Sequence, residues 1–167
     1  MGKKTDVDTA KLVEKIERIT KEKLTQAGVV SLDKYRELTK KEDKHTILVI
    51  EDDETMRNAL RRIFEDEGFN VLPAADGTQL SSVLNDGPID LIILDIGLPW
   101  INGFELAKLL KEHKDLKSIP LIFVSGKTSE IDVKRGFQVG ADDYIKKPFD
   151  IDKIKKTVRT LLKLSKS

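Results

Sequence analysis

Several chemically capable residues sit immediately after short apolar runs. Ile47–Ile50 is followed by Glu51-Asp52-Asp53, Leu91–Leu94 by Asp95, Leu121–Val124 by Ser125, and the weaker run Tyr144-Ile145 by Lys146-Lys147-Pro148. If the first, third, fourth and fifth runs lie side by side, at least three carboxylates meet in one crevice. Two carboxylates about 4 Å apart repel by roughly 4 kcal/mol at an effective dielectric near 20, so the cluster demands compensation. A hard cation supplies it. Mg²⁺ takes oxygen ligands, keeps several waters, and is typically held by one or two carboxylates together with phosphate oxygens. A nearby ammonium would neutralise the remainder.

Such a crevice needs a parallel sheet, and the chain is patterned for one from His45 onward. The apolar runs Ile47–Ile50, Asn70–Ala74, Leu91–Leu94, Leu121–Val124 and Tyr144-Ile145 have strand length. Between them lie stretches of helical periodicity, with Met56, Leu60, Ile63 and Phe64 on one face and Phe104, Leu106, Leu109 and Leu110 on another. A third stretch carries Ile131, Val133 and Phe137, a fourth Ile154, Val158, Leu161 and Leu162, and residues 76–85 form a shorter, weaker helix. Alternating strands and helices predict an α/β fold of five βα units, a five-stranded parallel sheet with helices on both faces. Leu91-Ile92-Ile93-Leu94 is apolar at every position, as a central strand buried on both sides requires. Function in such sheets gathers beyond the carboxyl ends of the strands, where the acids stand.

Residues 1–44 have a different texture. They hold 12 Lys+Arg against 9 Asp+Glu, and no Pro, Trp or Phe. Asp8 or Thr9 caps a helix through Leu12, Val13, Ile16, Ile19 and Leu24; Gly28 stops it, and Ser31 caps a second through Leu32, Tyr35 and Leu38. This α-helical hairpin is expected to end in the charged linker Lys40–Lys44, and it is too small to bury a core alone. The predicted division is therefore 1–44, an N-terminal helical extension and linker, and 45–167, the sheet domain.

Composition removes several classes of function. With no cysteine among 167 residues, disulfide frameworks, thiolate metal sites and cysteine nucleophiles are excluded. A balance of 30 Lys+Arg against 29 Asp+Glu lacks the basic excess of a dedicated nucleic-acid binder, so no direct nucleic-acid binding is expected. No apolar run approaches a membrane span of roughly 18 residues and no secretion signal opens the chain, so the expected location is cytoplasmic, without membrane insertion. Ser125-Gly126-Lys127-Thr128 imitates the end of a phosphate-binding P-loop, but the required first glycine falls on Leu121, and nucleotide binding is rejected. A phosphatase with an aspartate nucleophile would carry D-x-D, whereas Asp95 is followed by Ile96-Gly97.

Four strings in order carry a specific likeness: ILVIEDD (Ile47–Asp53), LIILDIGLPWING (Leu91–Gly103), LIFVSG (Leu121–Gly126) and GADDYIKKPF (Gly140–Phe149). Residues 45–165 resemble the receiver domain of two-component response regulators, the family that includes the bacterial chemotaxis response regulator. The resemblance implies a flavodoxin-like (βα)5 fold. It implies Asp95 as phosphoacceptor and also a Mg²⁺ ligand, Glu51 and Asp52 as the acidic pair that holds Mg²⁺ (Asp52 directly, Glu51 through water), and the Gly97 carbonyl as a further ligand. It also implies Ser125 as the hydroxyl that contacts the phosphoryl group, Lys147 as the lysine before a proline in a cis bond, and Tyr144 as the aromatic that changes rotamer with the hydroxyl. Asp53 falls outside this pattern. Gly97, Gly126 and Lys127 depart from the family's commoner residues beside the site.

The chemistry agrees. A carboxylate oxygen can attack phosphorus in line to give a mixed anhydride, and positioning with charge neutralisation does most of the rest. The resemblance implies a phosphoryl group supplied by a sensor histidine kinase or phosphotransfer protein, no enzymatic activity beyond the chain's own phosphorylation and dephosphorylation, and a switched surface of the fourth helix, fifth strand and fifth helix. Since the chain ends just after its fifth helix, that surface is expected to bind a separate effector protein. The competing reading is a receiver-like adaptor that binds partners without phosphorylation. Plainer roles compete residue by residue: Asp53 or Glu54 as helix caps, Ser125 as an N-cap, Tyr144 as a packed strand residue. His45 and His113 are lone, without a partner at metal-ligand spacing, and are expected to be exposed. The hairpin's Leu12/Ile16/Ile19 stripe suggests either a homodimer through the N-terminal helices or docking onto the receiver or a partner.

Overall fold

Leu91-Ile92-Ile93-Leu94 forms the middle strand of the sheet, with all four residues buried. The computed structural model describes residues 44–165 together with Val13, Ile16 and Arg18, which are helical. The hairpin expected over 1–44 otherwise lies outside the described residues. In chain order the elements are β1 (Thr46–Ile50), α1 (Glu54–Asp66), β2 (Asn70–Ala74), α2 (Gly77–Leu84), β3 (Leu91–Leu94), α3 (Gly103–Glu112), β4 (Leu121–Ser125), α4 (Glu130–Gln138), β5 (Asp143–Lys146) and α5 (Ile151–Ser165). The strands form one parallel sheet in the order β2-β1-β3-β4-β5. This is the flavodoxin-like arrangement, and it makes β1, β3, β4 and β5 consecutive neighbours. Pro73, which has no amide hydrogen for a ladder, is accommodated because β2 is an edge strand.

Strand alternation sorts the apolar side chains into two layers. Leu48, Ile50, Ile92, Leu94, Leu121, Phe123 and Tyr144 face one side, packed with Leu80 of α2 and Phe104, Leu106, Ala107 and Leu110 of α3. Ile47, Val49, Leu91, Ile93, Ile122, Val124 and Ile145 face the other, packed with Leu60 and Phe64 of α1 and Ile154, Val158 and Leu162 of α5. Two helical faces depart from the periodicity reading. Leu109 is exposed although Leu106 and Leu110 are buried, because it points away from the sheet. On α4 both Ile131 and Phe137 are exposed, and the buried residue is Gly136. No helix among the described residues is long and apolar enough to cross a membrane.

Short loops at the carboxyl ends of the strands are tied down by backbone hydrogen bonds that continue the ladders. The Glu51 amide donates to the Ala74 carbonyl at 3.1 Å, the Asp95 amide to the Ile50 carbonyl at 3.1 Å, and the Lys147 amide to the Ser125 carbonyl at 2.9 Å. The loop after Asp95 closes through the Gly103 amide, which donates to the Ile96 carbonyl at 2.9 Å. Asn102 then caps α3, its side chain accepting from the Phe104 amide. This closure is possible only with glycine: a Cβ at position 103 would lie 2.4 Å from the Ile96 Cα and 2.6 Å from the Asp95 carbonyl oxygen. Backbone cannot yield as a flexible side chain does. Gly103→Ala is expected to lower stability by about 2–3 kcal/mol, the range of overpacked cores, measured by urea unfolding. A loss below about 0.5 kcal/mol would show that the loop opens at little cost.

Candidate functional site

Glu51, Asp52, Asp95, Ser125 and Lys147 are each the last residue of a strand or one of the first two after it, so the ladder sets their positions. Ile50 is the last residue of β1, and Glu51 and Asp52 follow it; Asp95 follows β3 directly. Carboxylate oxygens of Glu51, Asp52 and Asp95 all lie within 4.8 Å of one another. Glu51 is 2% exposed, Asp95 is half-buried and Asp52 is exposed. Lys147, the first residue after β5, reaches into this cluster. Its ammonium donates to Glu51 Oε1 at 2.5 Å and stands 3.7 Å from Asp95 Oδ2. One cation thus faces two carboxylates, and the exposed third turns to solvent. Lys147 joins Pro148 through a cis peptide bond.

The remaining members flank that core. Ser125 ends β4, is 1% exposed, and accepts at Oγ from the Lys127 amide at 3.2 Å. It is not a helix cap: Ser129 caps α4, accepting from the Asp132 amide. Tyr144 on β5 lies beside Phe123 at 5.8 Å between ring centroids, and its hydroxyl donates to the Lys127 carbonyl. Gly97 adjoins Asp95, since a Cβ on it would be 4.0 Å from Asp95 Oδ2. Asp53 stands at the N-cap position of α1 but makes no side-chain cap hydrogen bond, and its amide is 3.5 Å from Glu51 Oε2. His113 is exposed as expected. His45 is only partly exposed, contrary to expectation, because it approaches Asp90 at 3.6 Å and tilts against Phe69.

One contributor was not singled out by sequence pattern. Arg57 on α1 donates from Nη1 to the carbonyls of Glu51 at 3.0 Å and Asp52 at 3.1 Å, which holds the acidic loop from behind. No short motif marks an arginine that binds backbone. Trp100, in the loop after Asp95, rests on Gly77, where a Cβ would come within 3.3 Å of its ring. Its indole Nε1 is buried without a hydrogen-bond partner.

As a donor set, three carboxylates fit a hard divalent cation, not a soft one. Electrostatics point the same way. Burial lifts the Glu51 carboxyl from 4.5 to about 7; the Lys147 hydrogen bond pulls it down and the Asp95 charge raises it further. An unfolded Glu51 sheds its proton near pH 4.5 and the folded one near 7. Between those values the folded state binds the extra proton, so rising pH weakens it. With a chelator present, stability should fall between about pH 5 and pH 7.5 by on the order of 1–2 kcal/mol. Urea midpoints would record this, and Glu51→Gln should flatten the slope. A wild-type midpoint that rises over that interval would contradict the assignment.

With the fold and cluster in view, comparison with known proteins is direct. The response regulator receiver domain family matches residues 47–159. Aerobic respiration control protein ArcA of Escherichia coli is 41% identical over 116 residues, which cover 70% of this chain and 48% of that protein. Transcriptional regulatory protein CpxR of Escherichia coli is 37% identical over 119 residues, 71% of this chain and 50% of that one. The chain therefore spans about half the length of these curated relatives. Among solved structures, the receiver domain of the Francisella response regulator 1452 superposes with a TM-score of 0.67 at 30% identity, covering 73% of this chain and 99% of that one. Vibrio cholerae chemotaxis protein CheY4 gives 0.66 at 27% identity, covering 71% and 98%. A sheet ordered β2-β1-β3-β4-β5, an acidic cluster at its carboxyl edge and these likenesses converge, and the chain belongs to the response regulator receiver domain family of two-component systems.

Proposed function

We propose that this receiver is phosphorylated on Asp95 in a Mg²⁺-dependent reaction, and that phosphorylation switches the surface of α4, β5 and α5. The observation that carries the reading is the Lys147 ammonium set between Glu51 and Asp95 beside an exposed Asp52. A charged nucleophile must approach a charged phosphoryl group, and this arrangement supplies positive charge where the repulsion is greatest.

In this reading an Asp95 oxygen attacks phosphorus of a phosphohistidine carried by a sensor histidine kinase or phosphotransfer protein. The P–O bond forms as the P–N bond breaks; the bonding pair stays on the departing imidazole nitrogen, which takes up a proton. Lys147 orients the acceptor and meets the developing negative charge, and Ser125 adds a hydrogen bond to a phosphoryl oxygen. Asp52, the solvent-facing carboxylate, would hold the Mg²⁺ directly, with the Gly97 carbonyl and Asp95 as further ligands; Glu51, engaged by Lys147, would act through water. The chemistry a bound Mg²⁺ supplies is neutralisation of acceptor and phosphoryl oxygens. In the separate step of dephosphorylation, a water oxygen attacks phosphorus, the bond to Asp95 breaks with its electron pair on the carboxylate, and inorganic phosphate leaves with the protons of the water. The chain acts on no other substrate. We assign the receiver to residues 45–167; the segment before it lies largely outside the described residues.

Trp100 makes the reading testable by fluorescence, since it lies in the loop that begins at Asp95. Adding beryllofluoride, a phosphoryl mimic, should change Trp100 emission only with Mg²⁺ present, and Asp95→Asn should abolish the response. Asp52→Asn should raise the Mg²⁺ needed for half-response by about tenfold or more, the loss of one charged ligand. A chain that gives no Mg²⁺-dependent response in wild type would leave a partner-binding adaptor as the function. With a phosphoramidate donor, one phosphoryl group should appear by mass in wild type and be missing in Asp95→Asn.

A further inference from the structure

Gly136 is a residue that helix physics disfavours and nothing in the phosphoryl chemistry uses. It lies inside α4, buried, between Arg135 and Phe137. An interior glycine costs a helix about fivefold in its equilibrium relative to alanine. The reason for it here is a close approach. A Cβ at position 136 would stand 2.8 Å from Tyr144 Cδ2, 3.1 Å from Cε2 and 3.2 Å from Phe123 Cδ2. These are atoms of packed rings and not the ends of flexible chains. The Tyr144 ring has Phe123 beside it and its hydroxyl bonded to the Lys127 carbonyl. Phe123 in turn packs edge-on against Phe104 at 5.5 Å, and the Arg135 guanidinium lies 4.6 Å from the Phe104 ring centre. Neighbouring residues of α4 therefore grip both ends of one aromatic column. Burial also pushes the Tyr144 phenol above its ordinary value of 10.0.

We propose that Gly136 is a positioning residue of the switch: by lacking a side chain it seats the Tyr144 ring against α4, and the Tyr144 hydroxyl then holds the Lys127 carbonyl and with it the loop that begins at Ser125. Lys127 is the link, because its carbonyl receives Tyr144 while its amide donates to Ser125 Oγ. The consequence for phosphoryl binding rests on the function proposed above; the seat does not.

Urea unfolding of the full chain in four forms separates the two. Gly136→Ala should lower the folding constant about tenfold or more while Tyr144 is present. In the Tyr144→Ala background the same change should cost far less or raise it, by up to about fivefold, because helix propensity then opposes only the 3.2 Å approach to Phe123 Cδ2, which a shift of a few tenths of an ångström relieves. An equal loss in both backgrounds overturns the seat. Should Gly136→Ala alone fail to fold, restored folding in the double variant supports the proposal, and failure of the double variant where Tyr144→Ala folds overturns it. In chains with ¹³C-labelled tyrosine, with Tyr144→Phe identifying the signal, the Tyr144 titration should move down toward 10 in Gly136→Ala; an unmoved titration counts against the seat. Beryllofluoride with Mg²⁺ then reads the link to the site: half-saturation should rise about threefold or more in Gly136→Ala, a coupling of ordinary size. An unchanged half-saturation in that variant breaks the link, whereas a wild type that ignores beryllofluoride defeats the phosphoryl reading and leaves the seat to the unfolding cycle.

Discussion

Three carboxylates with oxygens within 4.8 Å of one another repel, and everything around them is arranged to bear that repulsion. At an effective dielectric near 20, each pair at such distances costs roughly 3–4 kcal/mol, a sizeable part of a domain's whole stability. The sheet supplies the rigidity. Ladder hydrogen bonds fix the backbones of Glu51, Asp95 and Lys147, so the acids cannot relax apart by a drift of the main chain. Lys147 supplies one positive charge where two negative ones meet, and Glu51 answers the remaining imbalance by holding its proton to about pH 7. The site is thus under-neutralised by construction, which favours taking up a cation.

The sequence was most informative where a residue's neighbourhood is set by its own strand. Leu91–Leu94 is apolar throughout because both faces are covered, and Asp95 is placed by being next. That reasoning brought out the parallel sheet and the clustered acids of β1 and β3. The family likeness of the four strings added the roles. Periodicity was weaker on helices that cover the sheet only in part. Ile131 and Phe137 fit a helical stripe yet face solvent, since α4 approaches the sheet through Gly136, a residue that hydrophobic pattern does not count; Leu109 of α3 is likewise exposed beside the buried Leu106 and Leu110. An isolated glycine in a helical stretch was the available signal, as it commonly marks a close approach. Arg57 left no such trace: its partners are carbonyls, which every residue has. His45 looked isolated because Asp90, which lies close in space, is distant in sequence.

Glycine has a double role around this site. At Gly103 it lets the start of α3 press onto the backbone of the loop that carries Asp95, and at Gly136 it lets α4 press onto the rings behind Ser125. Both are intolerant contacts, in which any side chain would have to displace backbone or packed aromatics. Precision in the acidic pocket therefore comes less from the acids than from two small residues that allow helices to approach closely.

The two packed layers share no buried residue. Phe104, Phe123 and Tyr144 all belong to the layer covered by α2, α3 and α4, while α1 and α5 cover the other. Packing on one side can therefore be exchanged for another arrangement while the opposite side keeps its contacts. In mechanical terms the proposed switch has a stator, α1 clamped on its half of the sheet, and a working part, the aromatic column from α3 to β5 with the α4, β5 and α5 surface beside it. A partner gripping the first half would hold the chain by a fixed handle, leaving the second free to report what happens in the crevice between them.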